Sequence, residues 1–187
     1  ALFNQFESMG PKSREALEKF EYPKSEKEIA LINFANQEVN QLMEESGVAP
    51  RDIPVENYHI VPTEVFKSVA DESLAAVTLY KEQGMAFNAK HFRDNPVYFG
   101  STALHETLHL KSHISFEVQE DEKREKTSTV YRAGVSINSL QEEGLHGKYH
   151  KHFAGLNEAI VAETEKRLSP KLLDSLELAK EKEWLDS

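Results

Sequence analysis

His105-Glu106-Thr107-Leu108-His109 is the stretch that decides how the chain is read. No proline or glycine interrupts residues 101–112, and Phe99, Ala103, Leu104, Leu108 and Leu110 supply the apolar neighbours of a buried helix. On a helix, two histidines four residues apart lie on one face, one turn plus about 40° round, so both imidazoles can grip a single metal ion. Glu106 lies beside them, within reach of a water in an open coordination position, where a carboxylate serves as general base.

Outward from this motif, composition narrows the field. The chain has 187 residues and 39% hydrophobic content, enough for a sizeable core, and no shift in composition divides it, so one domain over 1–187 is expected. With no cysteine, any metal must be held by His, Asp and Glu. Thirty-two acidic against 22 basic side chains give a net charge of −10, which opposes binding to nucleic acid or to anionic membranes. There is no run of 18 apolar residues, and ALFNQFESMGPKSR lacks the basic start and apolar stretch of a signal peptide, which predicts a soluble, cytoplasmic protein.

Before the motif, residues 1–24 read as a polar arm with a short helical patch from Ser13 to Phe20. Ser25 and Glu28 form a capping box, and Ile29, Ile32, Ala35, Val39, Leu42 and Met43 recur at helical spacing until Gly47. One strand is expected around Asn57–Val61, with His59 structural, then a short helix from Thr63 to about Ala70. Residues 75–80 and 85–90 alternate and read as an antiparallel pair turning at Gly84. Asn95-Pro96 supplies an N-cap and a proline at the first helical position, leading into the motif helix.

After the motif, Ile114, Phe116 and Val118 alternate and residues 127–138 are rich in β-branched side chains, which predicts a hairpin with a charged tip at 120–126. A helix is expected from about Tyr149 or Phe153 to Leu168, and Ser169-Pro170 is read as opening a further C-terminal helix. The fold class is therefore α+β, a small antiparallel or mixed sheet packed on the motif helix and its partner helix.

A catalytic zinc keeps three protein ligands, so the two histidines need a third donor. Glu158, in Leu156-Asn157-Glu158-Ala159-Ile160 on a predicted helix 49 residues past His109, is the best candidate. The pair HETLH and LNEAI resembles the gluzincin metallopeptidases, over about residues 96–168, and the short chain looks most like the compact minigluzincin type. The resemblance implies one Zn2+ per chain held by His105, His109 and Glu158, Glu106 as general base and proton shuttle, and a peptide or protein substrate laid along an edge strand, here taken as Met85–Ala89. The metzincin pattern would put a third histidine at Ser115.

Many gluzincins carry an acid four positions after the glutamate ligand, where it orients a histidine; here that position is Ala162, and Glu163 comes one residue late. For the transition-state donor, Tyr149 is favoured over His150 and Tyr131. His146, His150 and His152 form a separate histidine-rich string. The competing expectation is a zinc-binding regulatory protein without turnover, in which a fourth protein ligand such as His150 or Glu163 closes the site.

Overall fold

Helix α1 (Pro11–Phe20) opens the part of the chain that the computed structural model describes, which comprises residues 11–92, 94–120, 126–140, 149–175 and 178. Leu17 is almost wholly buried, so the segment read as a polar arm is anchored: one apolar side chain is driven into the core while Glu15, Glu18 and Lys19 stay exposed. Helix α2 (Glu26–Glu45) starts at the capping box, with Glu28 N–H donating to Ser25 Oγ and Ser25 N–H donating to Glu28 Oε2. It ends just before Gly47, which takes a positive φ of 74°.

Strands β1 (Tyr58–Val61), β2 (Ala76–Leu79) and β3 (Gly84–Asn88) form a mixed sheet in the order β1-β3-β2, with the short helix α3 (Thr63–Phe66) following β1. β1 runs parallel to β3 and β2 antiparallel to it. The predicted pair is present, but β3 is the central strand rather than an edge, because β1 also pairs with it; the free edge beside it is β2. The turn also differs in detail: Gln83 takes the positive φ, and Gly84 is needed because Asn57 O would lie 2.8 Å from any Cβ there.

Helix α4 (Pro96–Lys111) carries the motif. Asn95 caps it, accepting from Tyr98 N–H, and Pro96 stands at its first position. Most of its surface is buried, as the apolar sequence around the motif requires. Phe99, Ala103 and Leu110 pack with Tyr58, Ile60, Met85 and Phe87 of the sheet and with Leu31 and Ile32 of α2. Leu104 and Leu108 pack against Ala35 and Val39 of α2 and Val161 farther along the chain. Gly100 lets Leu172 approach to 3.2 Å from where a Cβ would stand. The other face of the sheet, with Val61, Val77, Leu79 and Ala86, is covered by Leu17, Phe66, Val69 and Ala70.

A second, antiparallel sheet follows in the order β4-β5-β6-β7: β4 (Ile114–Glu120), β5 (Lys126–Ala133), β6 (Ser136–Leu140) and β7 (Tyr149–His152). The stretch expected to be one arm of a hairpin is two strands, divided at Gly134, which has a φ of 58°. The charged tip itself, residues 121–125, lies outside the described residues. Tyr149–His152 is a strand and not the start of a helix, its backbone pairing in register with β6.

Helix α5 (Ala154–Leu173) begins after Phe153, whose φ is 58°. It continues through Pro170 rather than breaking there, since the proline stands in its last turn and Leu172 is held in the main core beyond it. The further helix expected after Ser169 loses that start, and residues 179–187 lie outside the described residues. The protein is α+β, with small mixed and antiparallel sheets packed on helices. No helix among the described residues is long and apolar enough to cross a membrane.

Candidate metal centre

α4 and α5 cross so that three donor atoms converge. His105 Nε2 and His109 Nε2 are 3.2 Å apart, Glu158 Oε2 is 3.3 Å from His109 Nε2, and the third edge, Glu158 to His105, is 3.6 Å. Zinc bonds of about 2.0–2.1 Å in a tetrahedron would separate neighbouring donors by roughly 3.3 Å. The residues present therefore fit a zinc ion. Among the described residues the cluster that could hold a metal contains these three and no fourth His, Asp or Glu. His109 is buried, while the Glu158 side chain is 56% exposed, so the cluster opens to one side.

Each histidine is held from behind. His105 Nδ1 lies 2.9 Å from Glu165 Oε2, and Glu165 also accepts from Ser101 Oγ, one turn before His105 on α4. The orienting carboxylate sought at Ala162 or Glu163 is thus Glu165, seven positions after Glu158 and on the same face of α5. Glu163 is exposed and bonded to Arg167 instead. Asn157 Nδ2 stands 3.4 Å from His109 Nδ1, and Asn157 Oδ1 accepts from Val135 N–H, tying the β5–β6 turn to the centre. Gly134 makes room for that amide, since a Cβ at 134 would overlap Asn157 Oδ1.

The charges respond to this arrangement. Burial alone would lower the pKa of His105, but hydrogen bonds to Glu158 and Glu165 and the charge of Glu106 outweigh it and push the value up to about 10. Hydrogen bonds from His105 and His109 hold the Glu158 carboxyl well below the usual carboxylate range. Burial raises the Glu165 carboxyl, yet the bonds from His105 and Ser101 win and its pKa falls.

Glu106 is turned the other way, toward β2, where Thr78 Oγ1 donates to its Oε2 at 2.6 Å. A cleft of about 530 Å³ runs past these groups, with Ala76, Thr78 and Tyr80 on one wall and Val130, Ala133, Asn138 and Lys151 on the other. Its floor is His105, Glu106, His109, Asn157 and Glu158. Among the described residues β2 is an edge strand of its sheet, and it borders the cleft. Asn88 N–H donates to Ala75 O, so by antiparallel alternation Val77 and Leu79 bond to β3 while Ala76 and Thr78 turn their N–H and C=O groups outward.

The other residues singled out from sequence are elsewhere. Tyr131 is 43% exposed on β5 and does not line the cleft. His150 is exposed on β7, His152 bonds to Ser139, His113 is exposed, and His59 bonds to Glu21. Tyr149 begins β7, but its side chain, like all of His146, lies outside the described residues. Tyr80 went unread as a site residue because it follows a strand more than 20 residues before the motif; the one signal was its even spacing from Ala76 and Thr78.

Comparison with protein-family models, with curated proteins and with solved structures gives no match.

Proposed function

We propose that the protein is a zinc-dependent peptidase of the gluzincin type, with peptides or proteins as substrates. The observation that carries this is the triangle of His105, His109 and Glu158 at tetrahedral donor spacing, with Glu106 beside it in an open cleft. Zinc bound there would polarise the peptide carbonyl and acidify a water. Glu106, held by Thr78, accepts a proton from the attacking water and passes it to the departing amine nitrogen. Glu165 and Asn157 fix the two imidazole rings, so that Nε2 of each faces the cleft.

The free edge of β2 receives an extended peptide by backbone pairing at Ala76 and Thr78, in place of the Met85–Ala89 strand that the sequence suggested. Such pairing confers affinity with little side-chain selectivity, and the apolar wall at Val130 and Ala133 favours apolar residues beside the bond to be cut. A purely structural zinc would call for a fourth protein ligand, and the cluster of three donors among the described residues favours the open site.

The test is cleavage of a mixed peptide library by the zinc-loaded chain and by Glu106→Gln. The parent should cut, and the variant should bind equal zinc and lose at least about 100-fold in rate. Equal cleavage by a zinc-replete Glu106→Gln would refute the mechanism.

A further inference from the structure

Hydrolysis of a peptide bond places negative charge on the carbonyl oxygen under attack, and a donor aimed at that oxygen is worth about 10²–10³ in rate. Tyr131 and His150, the described residues that sequence offered for this task, are exposed and do not line the cleft. Tyr80 is differently placed. It follows β2 directly, lies on the same strand face as Ala76 and Thr78, is half-buried, and lines the cleft with His105, Glu106, His109 and Glu158.

We propose that the Tyr80 hydroxyl is the hydrogen-bond donor to the carbonyl oxygen of the bond being cleaved, an inference that rests on the peptidase reading. The strand that grips the substrate would then also carry its electrophilic group. The outward backbone groups of Ala76 and Thr78 set the register of the peptide, and the same register brings one carbonyl between the metal-binding triangle and Tyr80. Chemistry and binding become coupled through β2 and the residue that directly follows it, and only a peptide paired along β2 presents its carbonyl to both.

The electrostatics agree with a donor role. Burial first, then the charges of Glu106 and Glu158, push the phenol's pKa up, so it keeps its proton. In the reaction a C–O bond forms from water and the C–N bond breaks. Glu106 carries the water's proton to the leaving nitrogen, and Tyr80 donates a hydrogen bond without giving up its own proton.

The experiment compares two probes on the full zinc-loaded chain and on Tyr80→Phe. One probe is a phosphinic peptide with leucine side chains, tetrahedral at phosphorus and offering an oxygen to a donor. The other is the matched peptide thiol, which has no such oxygen. Zinc content controls for folding, and calorimetry reads both affinities. The expected result is unchanged zinc, a phosphinic peptide held at least tenfold more weakly by the variant, and thiol affinity within about twofold.

Equal weakening of both probes would make Tyr80 a pocket-shaping residue, and no change in either would remove it from the chemistry; both outcomes overturn the proposal and leave the peptidase reading standing. Failure of the zinc-loaded parent to bind the phosphinic peptide would overturn that reading, and this inference with it.

Discussion

Glu165 Oε2 lies 2.9 Å from His105 Nδ1, on the side of the ring away from the cleft, and Ser101 Oγ donates to the same carboxylate. The carboxylate fixes which nitrogen of His105 faces the metal and raises the ligand's basicity. Glu165→Ala should weaken zinc binding about 10–100-fold in competition with a chromophoric chelator. Glu163→Ala should leave it unchanged, because Glu163 faces Arg167. The reverse ordering would place the orienting carboxylate at the wrong residue.

In the metal-free protein His105 carries a proton at neutral pH, its pKa raised to about 10 against the clustered carboxylates. Zinc must displace that proton. Loading at pH 7 to 8 should therefore release about one proton from His105, read by calorimetry in buffers of different ionisation enthalpy, and the release should fade as pH rises past the His105 value. Without metal, the raised pKa contributes stability that is fully present below about pH 6.5, the unfolded value, and lost as pH rises through about 10.

Thr78 is the donor that holds Glu106 against β2. Thr78→Val keeps the shape and removes the hydroxyl. Zinc content should stay at the parent level while the peptide cleavage rate drops about tenfold, as expected when a general base loses its orientation. A fall in bound zinc would instead show that Thr78 supports the metal-binding triangle.

Gly134→Ala tests the clamp between the second sheet and α5. The residue has a φ of 58°, and a Cβ there would overlap the Asn157 amide. The substitution should cost about 2 kcal/mol, lowering Tm by about 4–8 °C in a chain of this size. Gly155→Ala, in open space on α5, should lower Tm by less than 1 °C or raise it slightly.

Local chemistry made much of this architecture legible in the sequence. Ser25 with Glu28 and Asn95 with Pro96 start α2 and α4 where their caps require, and the alternation of residues 75–80 and 85–90 marks the antiparallel pair. HETLH and Glu158 are brought together as their residue types suggest.

What stayed hidden depends on distant contacts. β3 is central because β1, more than 20 residues earlier, pairs with it in parallel, and no local pattern announces that pairing. Tyr149–His152 is polar and short, so β7 exists only through its register with β6. Pro170 reads as a helix start, yet burial of Leu172 against Gly100 and Leu31 carries α5 past it. Glu165 escaped because whether position four or seven after Glu158 faces His105 is decided by how α4 and α5 cross.

The most direct test of the account is the zinc content of the purified chain beside Glu158→Ala, measured by mass spectrometry of the metal without added zinc. The account predicts one ion per chain in the parent and a clear loss in the variant, because removal of Glu158 leaves His105 and His109 as the donors among the described residues. Equal zinc in both proteins, or none in either, would contradict it.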